Sequence, residues 1–314
     1  MAVLDLLQRL TRRATVRSQQ TLAIAASLLL VLALVLPPIT VSARQTFMHL
    51  NPAIERLAAG DPIIGTSTTE LSLANCHALA RLDMDYVYVD MEHGPLNLEG
   101  LAHCVAAMVD KAWILKQGNA KQKVALFARF PPYGHDLGGN AWIVKQALDM
   151  GLSGVIFNTI DSKEQLSRAL QYMRYPQPRT SKYQHPPGLR GYSPGNAVFA
   201  WGISAAEYER RADLWPLNPE GDLLAIAMVE TADALKNVNE IASVPGLGAI
   251  FIGAAADLRQ SLGVPADAPE VEAARQTILQ ACQRHNVACG ITATGQAEVD
   301  RRLKQGWKMI RRER

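Results

Sequence analysis

The sequence predicts an α/β protein, a single barrel of repeated strand–helix units of the TIM (β/α)8 type. Short runs rich in β-branched residues alternate with amphipathic helical stretches after residue 44, which indicates βα units and a parallel sheet. The chain has 314 residues, and barrels of this type take roughly 250. A hydrophobic content of 48% supplies a large core and excludes a disordered chain.

The predicted elements follow one another in this alternating order. Seven strands are predicted, namely Ile63–Thr66, Tyr86–Asp90, Val124–Arg129, Val155–Thr159, Leu223–Glu230, Ala249–Ile252 and Ala288–Thr292. The predicted helices are Pro52–Ala59, Leu71–Arg81, Leu98–Lys111, Ala141–Met150, Lys163–Met173, Ala232–Ala242, Val271–His285 and Gln296–Gln305.

The last unit of the barrel is the weak point of this prediction. An eighth strand can begin only at Trp307–Ile310, and the sequence then ends in charged residues. A barrel must close to avoid open sheet edges. We therefore expect either a barrel that is incomplete at its eighth unit or a gap that a partner covers.

One long insertion interrupts the repeat. Residues 176–222 are rich in proline, glycine and aromatic side chains, and a loop of this length is usually a lid or a contact surface. Ser204 followed by Glu207 predicts the start of a helix inside it.

The N-terminal segment predicts a membrane anchor or a signal peptide. Four arginines up to Arg17 precede an uncharged apolar run, Leu22–Leu36, and Val41-Ser42-Ala43 resembles a cleavage site. We assign residues 1–20 to a cytoplasmic segment, 21–43 to the transmembrane anchor or signal, and 44–314 to the barrel domain. The barrel is then expected outside the cytoplasm, on the periplasmic side, either anchored or exported as a soluble protein.

Charge and cysteine content exclude several classes of function. The net charge is +3 and no basic stripe with aromatic residues is present, so we expect no nucleic-acid partner. The four cysteines lack Cys-x-x-Cys pairs and zinc-ligand spacing, and each lies in or beside an apolar stretch. Buried free thiols are the favoured interpretation. A disulfide is the alternative in an exported domain, without an indication of the pairing.

Charged residues collect at the predicted carboxyl ends of the strands, where barrel enzymes carry their reactive side chains. Glu230 and Asp257 follow neighbouring strands and could share one hard divalent cation. A strand-end acid can instead cap the next helix, although Thr231 can cap the helix after Glu230. The full set comprises Asp90, Glu92, His93, Arg129, Glu230 and Asp257.

Asp149 is placed unfavourably for a purely structural acid. It lies in the last turn of a helix that ends at Gly151, where a negative charge opposes the helix dipole. Lys145 is one possible partner, but in the less favourable orientation. We expect His93 to be the better partner across the barrel mouth, because an Asp–His pair forms a general acid/base near neutral pH.

Several ordered motifs make the region from Pro52 to Trp307 resemble the HpcH/HpaI aldolase and citrate-lyase family. The segments are Val89-Asp90-Met91-Glu92-His93-Gly94-Pro95, Ala128-Arg129, Lys145-Gln146-Ala147-Leu148-Asp149-Met150-Gly151, Arg174-Tyr175-Pro176, Gly188-Leu189-Arg190-Gly191, Val229-Glu230-Thr231, Phe251-Ile252-Gly253 and Asp257-Leu258. The resemblance implies cleavage of a 4-hydroxy-2-oxo acid to pyruvate and an aldehyde, with a divalent metal such as Mg, Mn or Co.

The resemblance also implies a role for each site residue. Glu230 and Asp257 would hold the metal, and Arg129 would stabilise the enolate of pyruvate together with it. His93, paired with Asp149, would move the proton. Asp90 would orient a water or a metal ligand.

The sequence departs from the family pattern near Asp257. The loop Gly253–Arg259 is one residue longer than usual, lacks its proline and has arginine in place of serine. Phe157-Asn158 replaces the usual Val-Pro pair. These departures and the membrane segment favour an alternative function, a non-catalytic accessory subunit of a respiratory or photosynthetic membrane complex. The anchor and residues 176–222 would then contact the other subunits. A CoA-ester lyase is a third interpretation, which the Glu92-His93-Gly94-Pro95 segment disfavours.

Overall fold

Eight parallel strands form a closed barrel in the computed structural model, which describes residues 47–131, 134–136, 138–139 and 141–313. A two-stranded extension, β5, pairs with β6 outside the ring. The strands are β1 (Ile63–Thr68), β2 (Tyr86–Asp90), β3 (Ala125–Arg129), β4 (Gly154–Phe157), β5 (Leu214–Trp215), β6 (Leu223–Met228), β7 (Ala249–Phe251), β8 (Ala288–Ala293) and β9 (Met309–Arg312).

The barrel is complete, so the prediction of a missing eighth unit is wrong. Strand β9 pairs with β1 through Ile63 and Met309, and with β8 through Ile291 and Ile310. The prediction failed because Lys308, Arg311 and Arg312 interrupt the apolar pattern of a buried strand. The gap that a partner was expected to cover does not exist.

The helices surround the barrel in the expected order, with some differences in their bounds. They are α1 (Pro52–Ala58), α2 (Leu73–Leu79), α3 (Leu98–Ala107), α4 (Lys111–Gln117), α5 (Ala141–Asp149), α6 (Lys163–Met173), α7 (Gly195–Trp201), α8 (Ala205–Arg211), α9 (Ala232–Lys236), α10 (Val238–Ala242), α11 (Ala256–Leu262), α12 (Pro269–His285) and α13 (Gly295–Gln305). The helix predicted over 232–242 is divided at Asn237.

The core has two layers, as expected for a barrel whose strands are covered on both sides. Alternate residues of the strands point inward and pack as one cluster that includes Tyr86, Tyr88, Phe127, Phe251 and Met309. The other strand residues pack outward against the helices. Toward the carboxyl ends of the strands the inward positions change from apolar to charged, which places a polar mouth on an apolar barrel.

The insertion at 176–222 folds against the barrel as α7, α8 and β5. Ser204 caps α8 as predicted, since its hydroxyl accepts a bond from the Glu207 N–H at 3.2 Å. Trp201 is buried, and its indole N–H donates to the carbonyl oxygen of Gly151 at 2.8 Å. The insertion therefore packs on the outer layer next to α5.

The four cysteines form two disulfides, so the prediction of free thiols is wrong. Cys76 of α2 is bonded to Cys104 of α3, and Cys282 of α12 is bonded to Cys289 of β8. All four side chains are buried, as the sequence indicated. Burial alone did not reveal the pairing, because it depends on which elements become neighbours in the fold.

The predicted segment at 21–43 lies outside the residues that the structure describes. Within the described part of the chain, no helix has both the length and the apolar character that crossing a membrane requires.

Candidate active site

Asp90 and Arg129 form the centre of the polar mouth. They lie in register on β2 and β3, so both side chains enter the barrel at the same level. The Nε of Arg129 donates to Oδ1 of Asp90 at 3.0 Å, and its Nη2 donates to Oδ2. Its Nη1 lies 2.8 Å from Oε2 of Glu92. Two acids therefore hold one buried guanidinium in a fixed orientation.

The same contacts keep this pair ionised. Burial raises the pKa of the Asp90 carboxyl, but the bonds from Arg129 and the His93 N–H lower it further, and the net pKa is below its usual value. Asp90 also accepts the backbone N–H groups of Glu92 and His93, both at 3.2 Å. Asp90 thus fixes both the arginine and the loop that carries His93.

Glu230 is a buried acid that faces other acids. Its side chain follows β6, and the residue is 4% exposed. Burial, together with the charges of Glu92 and Asp257, raises the pKa of Glu230 to about 7, against the opposing effects of the Thr159 N–H and Arg129. The Thr159 N–H donates to its Oε1 at 2.7 Å. Thr159 adopts a left-handed φ of 52° to make this bond, which is unusual for a β-branched residue.

This donor set fits a hard divalent cation, because a cation would remove the repulsion between Glu230 and its acidic neighbours. Within the described residues, no three His, Cys, Asp or Glu side chains lie close enough together to hold a metal alone. One or two carboxylates are nevertheless sufficient for Mg²⁺ when substrate oxygens and waters complete the shell.

Asp257 lies in the first turn of α11, where the loop departs from the family pattern. The residue before this helix is Ala255, which is buried and has a left-handed φ of 62°. Asp257 itself is exposed. The longer loop therefore leaves Asp257 on the Glu230 side of the mouth, at the start of a helix where a carboxylate is favoured.

The expected pair between His93 and Asp149 is not formed within the chain. Oδ1 of Asp149 accepts from Nη2 of Arg190 at 2.7 Å, and its Oδ2 accepts from Nζ of Lys145. The His93 side chain is 64% exposed, and its nearest described acid is Glu92, at 3.9 Å. The helix-dipole argument failed because Arg190, which lies in the insertion, supplies the missing positive charge.

The sequence did not single out two residues that share the mouth with this centre, Tyr88 and Arg311. The ring of Tyr88 lies 5.7 Å from the guanidinium carbon of Arg129. Nη1 of Arg311 lies 3.3 Å from the Tyr88 hydroxyl. The spacing contained a signal for both, because Tyr88 is two residues before Asp90 and Arg311 is two residues after the inward-facing Met309.

The motifs, the barrel and the acid–arginine centre agree with a match to the family profile described as HpcH/HpaI aldolase/citrate lyase, which spans residues 71–312. The chain belongs to this family. The resemblance seen in the sequence is therefore confirmed. Among the solved structures, an HpcH/HpaI aldolase/citrate lyase family protein from Burkholderia cenocepacia J2315 aligns with a TM-score of 0.65 at 27% identity, over 80% of this chain and 88% of that one.

Two similar relatives are aldolases. A hydroxypyruvate/pyruvate aldolase from Paraburkholderia phytofirmans is 28% identical over 262 residues, which are 83% of this chain and 90% of that protein. A 2-keto-3-deoxy-L-rhamnonate aldolase from Klebsiella pneumoniae is 27% identical over 263 residues, 83% of this chain and 85% of that protein. Aldolases of the class II type in this family generally depend on a divalent metal.

Proposed function

We propose that this chain is a metal-dependent aldolase that cleaves a 4-hydroxy-2-oxo acid to pyruvate and an aldehyde. The observation that carries the proposal is the arrangement of charges at the barrel mouth. Arg129 is fixed by Asp90 and Glu92, and it lies within electrostatic range of the buried, acid-facing Glu230. A barrel without catalysis gains nothing from burying an acid surplus in this place, since each unpaired buried charge costs stability.

Glu230 and Asp257 are the residues that would hold the divalent cation. When bound, the cation supplies a Lewis acid that polarises the keto group of the substrate, which is worth several kcal/mol. Glu230 is already aligned for this task, because the Thr159 N–H binds one of its two carboxylate oxygens.

Arg129 stabilises the negative charge that develops on the pyruvate part of the substrate. Its guanidinium is buried, oriented by Asp90 and Glu92, and packed near the ring of Tyr88, so it does not have to reorient during the reaction. Asp90 acts through Arg129 and through the loop, which makes it a positioning residue.

His93 moves the proton. In cleavage the imidazole accepts the proton of the C4 hydroxyl, the C3–C4 bond breaks, and its electron pair passes to the pyruvate part. Protonation of C3 then gives the methyl group of pyruvate, and the C4 fragment leaves as the aldehyde. The exposed side chain of His93 and its backbone bond to Asp90 place it at the entrance of the mouth.

The test follows the exchange of pyruvate methyl protons for deuterium by NMR, with Mg²⁺ or Mn²⁺ added to the protein. This half-reaction needs no aldehyde. We expect metal-dependent exchange that falls on the order of 100-fold or more in Glu230→Gln. Glu240→Gln is the matched control, since Glu240 is an exposed acid of α10 whose described ionic contact is Lys163. A folded protein that shows no metal-dependent exchange would overturn the proposal.

We also propose that the barrel works outside the cytoplasm, tethered by the segment at 21–43. The apolar run Leu22–Leu36, the preceding arginines and the two disulfides support this location, because disulfides persist in oxidising compartments. Protease accessibility of the barrel in spheroplasts measures the side of the membrane, and a protected barrel would overturn the location. A mature N-terminus near Arg44 would replace the anchor by a cleaved signal.

A further inference from the structure

Arg311 places a second guanidinium on the inner wall of the barrel mouth. It lies in register with Thr292 of β8 and Gly65 of β1, and Met309, two residues before it, belongs to the inner core. Residues two apart on a strand share a face, so the side chain of Arg311 also points inward. The proposed aldolase mechanism gives this residue no role.

The contacts of Arg311 leave part of its hydrogen-bonding capacity unused. Nη2 is paired at 2.7 Å with Glu313, a half-exposed acid beside the mouth. Nη1 makes only long bonds, at 3.4 Å to Oγ of Ser67 and 3.3 Å to the hydroxyl of Tyr88. Within the described part of the chain, the buried Nε has no hydrogen-bond partner.

A second unused polar group lies beside it. The hydroxyl of Thr292, on the neighbouring strand and the same inner face, is also buried and without a partner among the described residues. Buried donors without partners cost stability, and in native proteins they are few. Arg311, Thr292 and Ser67 together form a set of donors on one wall of the mouth, with one positive charge at its centre.

The position of this wall indicates which part of a substrate would reach it. Tyr88 separates the two arginines, since Arg129 lies 5.7 Å from its ring and Arg311 lies 3.3 Å from its hydroxyl. A pyruvate part beside Arg129 and Glu230 therefore leaves the aldehyde part to extend toward Arg311. Most of the Arg311 side chain is buried, with 19% exposed, so its charge is only partly screened by water.

We propose that Arg311 is a specificity-determining residue that binds a carboxylate on the aldehyde part of the substrate, with Thr292 and Ser67 as additional donors. The substrate class is then a 4-hydroxy-2-oxo acid that has a second acidic group at its far end. This inference rests on the proposed aldolase function. Glu313 occupies part of the guanidinium in the free protein and can rotate into solvent when the substrate carboxylate binds.

The experiment compares two four-carbon acceptors, succinic semialdehyde and butanal, in condensation with pyruvate. We expect the wild type to favour the carboxylated aldehyde in kcat/KM. Arg311→Gln should lower this preference about 10- to 100-fold through loss of one charge-assisted hydrogen-bonding group, with the loss confined to succinic semialdehyde. Arg311→Lys should restore part of the preference.

Arg312→Gln is the matched control, because Arg312 is the exposed neighbour of Arg311 on β9. It should change neither acceptor. Equal losses for both aldehydes in Arg311→Gln would indicate a structural role and overturn the inference, as would an unchanged ratio.

A failure of the aldolase function is distinguished by the pyruvate exchange of the wild type, which needs neither acceptor. If exchange is absent, calorimetric titration with succinic semialdehyde decides the binding site alone. Binding that weakens at least about tenfold in Arg311→Gln supports it, and no detectable binding to the wild type overturns it.

Discussion

Arg129 and Arg190 are both buried arginines that bind aspartates, but their surroundings differ. Arg190 lies 4.4 Å from the ring centroid of Tyr175 and 5.8 Å from that of Tyr208, and it pairs with Asp149, which Lys145 also contacts. Its charges are balanced within the cluster. Arg129 faces three acids, and the cluster has an excess of negative charge. The balanced cluster is organised for stability, and the unbalanced one for binding a further positive charge.

The sharpest test of this difference is Arg129→Gln. Loss of a preorganised donor at a developing negative charge lowers rates by about 100- to 1000-fold, so we expect pyruvate exchange to fall by that amount. NMR exchange with saturating Mg²⁺ is the measurement. Activity within about tenfold of the wild type would mean that the arginine at the mouth is structural after all.

Arg190→Gln should produce the opposite result. Removing one partner of a buried ion pair costs about 3 kcal/mol or more, because it leaves Asp149 with less compensation. Urea unfolding monitored by circular dichroism measures the loss of stability. We expect exchange per folded molecule to stay within about threefold of the wild type, and a selective loss of exchange with unchanged stability would reverse the comparison.

A third ion pair tests the comparison through pH. Burial raises the pKa of Glu272, but bonds from the buried Arg302 and from Gln276 lower it more, and the pKa falls to about 2 from an ordinary value of 4.5. The folded pKa is depressed, so this stabilisation is present above pH 4.5 and is lost as the pH falls toward 2. Because Glu272 is 41% exposed, solvent screening keeps the effect small. Thermal unfolding of Glu272→Gln should depend less steeply on pH in this window, and an identical slope would contradict the assignment.

The sequence predicted the part of the fold that depends on local pattern. The buried runs that became β2 and β3 have continuous apolar character, and their strand ends correctly brought Asp90 and Arg129 together. Strand β9 was missed because an inward position that lines a polar mouth is occupied by Arg311, which breaks the apolar pattern. The pattern records burial in an apolar layer, and the mouth of a barrel is not such a layer.

The remaining errors concern pairs that only the folded chain brings together. Asp149 was assigned to His93 because the sequence shows a need for positive charge but not its source, which is Arg190 in the insertion. The two disulfides were missed for the same reason, since Cys76 and Cys104 become neighbours only when α2 and α3 pack together.

The closing strand has a consequence for the order of folding. The bond between Arg311 and Ser67 joins residues 244 positions apart, and both ladders of β9 depend on the last part of the described chain. Contacts of such separation form late, because the entropy of closing a long loop must be offset before they stabilise anything. A nascent chain can assemble the arginine–acid centre of β2 and β3 early, but it acquires the opposite wall of the mouth only when synthesis is nearly finished.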